Sequence, residues 1–199
     1  MILLVRHGET PFNAARVVQP PDTPLSERGL AQAACVARRI AGMGAAHVLA
    51  SDLERAHRTA DAIARATGAS LELSPLLQER NFGELRGRPY TELSPDAFSP
   101  AYAPPGGESG ADVDARAVLA FRLIVERLER VHGNLVVVSH GLFVAALLRG
   151  HMHIPEGMAM PDHFANASLT AIERAAPYRV QSLNDVAHLA DLHVESGAV

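Results

Sequence analysis

Short apolar runs, each followed by a polar turn and then by helical spacing, recur along this chain and leave few folds open to it. Residues 2–5, 47–50 and 135–138 are the clearest of them. Apolar runs bounded by turn formers read as strands, and their alternation with helical segments is the signature of a mainly parallel sheet crossed over by helices. The run 135–138 holds three valines and no charge, as a central strand buried on both faces requires. The expected fold class is α/β, a three-layer α/β/α arrangement around a mainly parallel central sheet.

The helices fall between these runs. Ser26 is placed to cap a helix that carries Ala31, Ala34, Val36 and Ile40 and stops near Gly42 and Gly44. Ser51 and Glu54 have the spacing of a capping box, which predicts a helix from there to Thr67 and Gly68. Val113, Ala117, Ala120, Ile124, Leu128 and Val131 recur at helical spacing over 113–131. Residues 141–148 read as a buried helix, 71–73 as an edge strand, and 168–172 with 179–183 as a closing hairpin about Pro177. Between 74 and 109 the period is lost and proline and glycine accumulate. An irregular stretch of that length is usually a lid or a binding wall. No repeat, low-complexity tract or linker divides the chain, so residues 1–199 are expected to form one domain.

Composition narrows the partners. With 199 residues, 48% hydrophobic and 20% charged, the chain has the balance of a globular domain rather than a disordered one. A formal charge of −4 argues against a general basic surface, and so against nucleic acid or an anionic membrane. Any cationic site has to be local. Cys35 is the only cysteine, which excludes an intrachain disulfide, and its neighbours Ala33, Ala34, Val36 and Ala37 mark it as a small core residue. Arg6, His7 and Glu9 interrupt the apolar start too early for a signal peptide, and no stretch approaches the ~20 apolar residues of a membrane helix. A cytoplasmic location is the expectation; a homodimer stays open.

Three sets of polar side chains share one structural context. Arg6 and His7 follow the first strand, Arg55 falls in the first turn of the helix after the second, and Ser139, His140 and Gly141 follow the central strand. In an open parallel sheet the C-terminal ends of the strands line the crevice where ligands bind. Fold type alone therefore brings two guanidiniums, two imidazoles and helix N-termini to one edge, a set suited to a tetrahedral oxyanion. Singly, each is compatible with a surface turn; together they indicate a site.

These residues also carry a family resemblance. Leu4-Val5-Arg6-His7-Gly8-Glu9-Thr10 resembles the signature of the histidine phosphatase superfamily, which includes the cofactor-dependent phosphoglycerate mutases. Asn13 stands where that family has its phosphate-contacting asparagine, and the segment from Asp22 through Pro24-Leu25-Ser26 to Gly29 is similar to another of its motifs. Ser51-Asp52-Leu53-Glu54-Arg55-Ala56 with Thr59-Ala60 resembles its second arginine motif, and Glu79-Arg80-Asn81-Phe82-Gly83 its acid motif. Gly106-Gly107-Glu108-Ser109, Val138-Ser139-His140-Gly141 and the closing Leu183-Asn184-Asp185 complete an ordered set that spans nearly the whole chain.

The resemblance implies a phosphoglycerate mutase-like fold and a role for each residue. His7 would be the nucleophile that accepts the phosphoryl group, with Arg6, Arg55, Asn13 and His140 as phosphate-binding residues. Glu79 would protonate the leaving ester oxygen and then take a proton from the attacking water; a bound phosphate dianion nearby favours the protonated form that this needs. The implied activity is hydrolysis of small phosphorylated metabolites, without metal or other cofactor. Mutases of the family have a longer chain with paired arginines after the acid motif, whereas residues 90–107 here carry no arginine or lysine. That favours water as acceptor over a cofactor-dependent phosphoglycerate mutase, and the full catalytic set argues against a silent regulatory module.

Other features carry less. His151, His153 and His163 invite a metal reading, but no acidic partner stands at ligand spacing. His57 and Arg58 are as compatible with a solvated helix face as with substrate. Arg80, Arg86 and Arg88 place charge near Glu79, where they either steer an anion or face solvent. Pro20 and Pro21 stiffen the loop after Gln19, and Phe12, Phe82, Tyr90 and Tyr102 are candidate walls of the substrate entrance.

Overall fold

Alternating apolar residues on the strands, matched by apolar stripes on the helices, produce three layers. In the computed structural model, which describes residues 1–194, the strands are β1 (Ile2–Arg6), β2 (Ala45–Ala50), β3 (Ser70–Leu73), β4 (Asn134–Ser139), β5 (Leu169–Ile172) and β6 (Val180–Asp185). The helices are α1 (Pro11–Ala14), α2 (Glu27–Ala41), α3 (Glu54–Thr67), α4 (Gly110–Arg130), α5 (Gly141–His151) and α6 (Ala190–Val194). Residues 195–199, the tail of the expected 1–199 unit, lie outside the described residues.

The strands form one sheet in the order β3-β2-β4-β1-β5-β6. β3, β2, β4 and β1 run parallel, and β5 and β6 close the sheet as an antiparallel pair beside β1. On one face Ile2, Leu4, Leu49, Leu135 and Val137 meet Ala117, Ala120, Ile124 and Leu128 of α4 and Phe143 and Leu147 of α5. On the other, Leu3, Val5, Val48, Val136 and Val138 meet Val36 and Ile40 of α2 and Ala56, Ala60 and Ile63 of α3. Successive side chains of β1 and β4 thus enter opposite cores, which is why their sequences read as unbroken apolar runs. Cys35 is buried on the core face of α2, as its neighbours indicate.

Two helix starts differ from the sequence reading. Ser51 does not cap α3; Leu53 stands at the N-cap without a side-chain bond, because the Ser51 hydroxyl is fully buried and turned to His140. Conversely, Ser109 and Asp112 form a true capping box that starts α4 at Gly110, ahead of the apolar period that begins at Val113. The stretch 74–109 contains only single 3₁₀ turns, at Pro75–Leu77, Gly83–Leu85 and Tyr90–Glu92. It is held by a short antiparallel pairing to the loop after α1: Gly87 donates to Val18 O (2.7 Å), Val18 to Arg88 O (3.0 Å) and Tyr90 to Arg16 O (2.8 Å). Among the described residues no helix is long and apolar enough to cross a membrane.

Candidate active site

The sheet register sets the site. β1 and β4 pair from Ile2 with Leu135 to Arg6 with Ser139, and the ladder continues past the strands. His7 N–H donates to Ser139 O at 3.0 Å and Ser51 N–H to Val138 O at 3.0 Å. The residues that follow β1, β2 and β4 are therefore fixed side by side at the C-terminal edge. Gly8 permits the next layer to close over them: a Cβ there would stand 2.5 Å from Gly29 O, and one on Gly29 would stand 1.9 Å from Glu9 O. This approach seats the first turn of α2 on the loop that follows His7, where Gln32 Oε1 accepts from Glu9 N–H at 2.8 Å.

His7 is 2% exposed, and its Nδ1 lies 2.7 Å from Gly8 O. A carbonyl only accepts, so Nδ1 carries the proton and Nε2 keeps its lone pair. Burial first, then the Arg55 and Arg6 charges, hold this imidazole well below the ordinary histidine range, against a smaller opposing effect of the Gly8 hydrogen bond. His7 is neutral at neutral pH, with a free nitrogen. That is the state of a nucleophile.

Arg55 is buried beside it, and Arg6 is half-buried with its Nε enclosed. Arg6 Nη1 donates to Phe164 O, and Arg55 Nη1 to Pro20 O at 3.2 Å, so the two-proline loop holds one of the cations in place. Burial, then the nearby Arg6 and Arg86 charges, lower Arg55 to about 10, with Glu79 opposing; it stays a cation at neutral pH. The Nε of each arginine is buried without a partner, and so is Nδ1 of His140. Buried polar atoms are almost always hydrogen-bonded, so three orphaned nitrogens on adjoining residues mark a place for a ligand that accepts. The His140 ring stands behind His7, with centroids 5.0 Å apart and planes tilted by 57°. Its Nε2 is 2.9 Å from Ser51 Oγ, and it is pushed well below the ordinary range by burial, then by Arg55, His7 and Arg6.

Asn13 is oriented by two donors to its Oδ1, Thr10 N–H at 3.2 Å and Asn166 Nδ2 at 3.1 Å. Its amide nitrogen is the end left for a ligand. Glu79 sits at the start of α5, where its carboxylate accepts from Leu142 N–H (3.2 Å) and Phe143 N–H (3.1 Å), as well as from Arg80 N–H (2.9 Å). The α5 N-terminus, which the sequence offers to a phosphate, thus binds Glu79 instead; its free amides are a fixed partner for an anion and Glu79 is the one built in.

A cavity of about 510 Å³ opens above these groups, lined by Arg6, His7, Asn13, Arg55 and Glu79 among others; His140 does not line it. Six arginines face it, Arg6, Arg16, Arg55, Arg80, Arg86 and Arg149, against two acids, Glu79 and Asp162. In a chain of net charge −4 this positive charge is local, as any cationic site here has to be. Arg80 is a strut: it is 5% exposed and its guanidinium donates to Glu108 O, Ser99 O and Tyr102 O. Arg16, Arg86 and Arg149 stand exposed at the rim. Phe82, Phe98 and Tyr90 form an aromatic wall, packed edge to face at 5.4 and 4.8 Å.

Several other candidate residues do not reach the cavity. Phe12 and Tyr102 are not among its walls, and neither are His57 and Arg58. Arg58 points away to pair with Glu54 at 2.7 Å. His151 stacks on Phe121, His163 faces the cavity, and no group of three histidine, cysteine, aspartate or glutamate side chains able to hold a metal occurs among the described residues. Sequence reasoning missed Arg16, Arg149, Asn166 and the wall residue Phe98. None lies in a motif, and only the pairing of 16–18 with 87–90 brings Arg16 beside Tyr90.

Known proteins share this fold. The chain is 34% identical over 202 residues to the probable phosphoglycerate mutase GpmB of Yersinia pestis, covering 94% of each chain. Its fold superposes on Bacillus stearothermophilus YhfR with a TM-score of 0.81 at 29% identity, covering 94% of this chain and 98% of that one. It superposes on the mycobacterial glucosyl-3-phosphoglycerate phosphatase in complex with VO3 with a TM-score of 0.78 at 27% identity, covering 93% and 99%. The pattern of the histidine phosphatase superfamily (branch 1) matches residues 2–185, and the chain belongs to that superfamily.

Proposed function

We propose that this protein is a phosphatase that hydrolyses small phosphate monoesters through a phosphohistidine on His7. The observation that carries the reading is the convergence of a neutral, lone-pair-bearing His7 Nε2 with three buried, unpartnered nitrogens on Arg6, Arg55 and His140. In the first step Nε2 attacks phosphorus, the P–N bond forms and the ester P–O bond breaks, and Glu79 gives its proton to the departing oxygen. In the second, Glu79 takes a proton from water as water attacks phosphorus and the P–N bond breaks. Arg6, Arg55, the Asn13 amide and His140 hold the three non-bridging oxygens in both, since positioning and charge stabilisation are most of phosphoryl-transfer catalysis.

Water as final acceptor is supported by the site's surroundings. The wall contributed by residues 89–107 supplies Tyr90 and Phe98 and no cation, and the rim residues Arg16, Arg86, Leu142 and Arg149 are exposed, so the cavity mouth is open to solvent. A mutase has to keep its phosphoenzyme from water. The mutase reading has its own support in the rim arginines, which suit a substrate carboxylate, and in the relatives named for that activity. One incubation separates the two: 3-phosphoglycerate with catalytic 2,3-bisphosphoglycerate, followed for both 2-phosphoglycerate and inorganic phosphate. Phosphate release without comparable isomerisation is expected; fast isomerisation with little phosphate would overturn hydrolysis as the activity.

A further inference from the structure

Arg116 of α4 does not line the cavity and gives its hydrogen bonds to none of the residues assigned to phosphate, yet it joins the two pieces of chain that fix Glu79. Its side chain is 15% exposed and meets Glu108 in a two-pronged pair, Nε to Oε1 at 2.8 Å and Nη2 to Oε2 at 2.7 Å. The remaining N–H groups turn to the backbone before Glu79: Nη1 donates to Gln78 O at 2.6 Å and Leu76 O at 3.1 Å, and Nη2 to Glu79 O itself at 3.3 Å. Glu108 Oε2 in turn accepts from Asn81 N–H at 2.8 Å, so the loop is gripped on both sides of Glu79. The Arg116 guanidinium also lies over the Phe143 ring, 4.4 Å from its centroid, and Phe143 N–H is one of the two α5 donors to the Glu79 carboxylate.

We infer that Arg116, clamped by Glu108, is a positioning residue that sets the Glu79 carboxyl for proton transfer to the leaving oxygen. A planar fork is suited to this, because five donors in one plane can serve a carboxylate on one edge and carbonyls on the other. Burial pushes the Glu108 carboxyl up, but the hydrogen bonds from Arg116 and the Asn81 amide, with the Arg116 charge, bring it below its ordinary value, so the clamp is ionised at neutral pH. Lysine, a point charge on a flexible stem, cannot hold the three carbonyls and both carboxylate oxygens together. This also gives the Gly106-Gly107-Glu108-Ser109 segment a second duty besides starting α4.

The inference rests on Glu79 acting as the acid, and the test separates the two. General acid assistance matters for a poor leaving group and little for a good one. Phosphate release is measured from glycerol 3-phosphate and from 2,4-dinitrophenyl phosphate for wild type, Glu79→Gln, Arg116→Gln, Arg116→Lys and Glu108→Gln. Because Glu79 also serves the hydrolysis step common to both esters, the comparison is made in kcat/KM, which reports departure of the leaving group. Out of the roughly 10²–10⁴-fold that general acid–base catalysis supplies, Arg116→Gln is expected to lose at least about tenfold more kcat/KM on the alkyl ester than on the dinitrophenyl ester. Arg116→Lys and Glu108→Gln should show the same selectivity more weakly. A folded Arg116→Gln or Glu108→Gln impaired equally on both esters, beside a selective Glu79→Gln, overturns the role of Arg116 alone. Equal impairment in Glu79→Gln itself overturns the acid assignment and this inference with it. If Arg116→Gln fails to fold, the lysine and Glu108→Gln enzymes decide on the same criterion.

Discussion

His7 and His140 lie with ring centroids 5.0 Å apart and planes tilted by 57°, two buried imidazoles beside the buried Arg55 and the half-buried Arg6. Neither ring can accept a proton cheaply in that company, and both are held well below the ordinary histidine range, first by burial and then by Arg55 and its companions. Neutrality of His7 is therefore a property of the fold, present before substrate arrives.

This pairing predicts the pH dependence of stability. In the unfolded chain both histidines take up protons below about pH 6.5, while in the folded protein they stay neutral to well below that. The unfolded state then binds more protons, so stability is full above about pH 6.5 and falls as pH drops from there. The urea midpoint should decline between pH 7.5 and 5, and the decline should shrink in His7→Asn and His140→Asn. An unchanged slope in both variants would contradict it.

The orphaned nitrogens predict strong stabilisation by an oxyanion. A ligand at 100 times its Kd adds about 2.7 kcal/mol, which for a chain of this size is about 5–10 °C in Tm. Orthovanadate or phosphate should produce such a shift in wild type and little in His7→Ala or Arg55→Met. A wild-type Tm indifferent to both anions would leave those nitrogens without a function.

Arg55 predicts a trade between stability and activity. Its lowered pKa of about 10 records the cost of a cation buried near Arg6 and Arg86. Arg55→Met removes that charge and keeps its bulk, at the loss of the bond to Pro20 O. Without ligand the variant should be as stable as wild type or more so, while kcat falls by about 10²–10³-fold, the usual effect of deleting one donor to transition-state charge. A variant much less stable than wild type and still active would refute both halves.

Ser51 predicts a tautomer effect. Its hydroxyl is the only partner of His140 Nε2 among the described residues, and the opposite nitrogen, Nδ1, is the orphan. With Ser51 donating, Nδ1 carries the proton and can donate to a phosphoryl oxygen. Ser51→Ala should lower kcat with little change in KM and cost about 1–3 kcal/mol of stability. Nitrogen chemical shifts of His140 should report the Nδ1–H form in wild type; an Nε2–H form there would contradict the assignment.

Much of this was legible in the sequence because it depends on strand ends. Once residues 2–5 and 135–138 read as parallel strands, Arg6, His7, Ser139 and His140 had to share an edge, and the structure places them there through the pairing of Arg6 with Ser139. What escaped depends on the direction a side chain takes. Ser51 has the spacing of a cap, but its buried hydroxyl meets His140 Nε2 and accepts only from Leu53 N–H, short of the first turn of α3. Arg80 follows the acid motif as a steering charge would, yet lies buried among the carbonyls of residues 99–108. Arg149 lies in the last turn of α5, beyond Leu148 where the sequence reads the helix as stopping, and only packing of α5 beside the cavity brings it to the rim.

In the proposed reaction His7 carries the phosphoryl group and passes it to water. Mixing the enzyme with a ³²P-labelled monoester and quenching in alkaline detergent, which preserves phosphohistidine, tests it directly. The expected result is a burst of labelled protein that is stable to base, labile to acid, located on His7, absent from His7→Ala, and converted to inorganic phosphate at the rate of turnover. Turnover with no labelled protein at any time, or label on His7 that returns to an ester rather than appearing as phosphate, would contradict it.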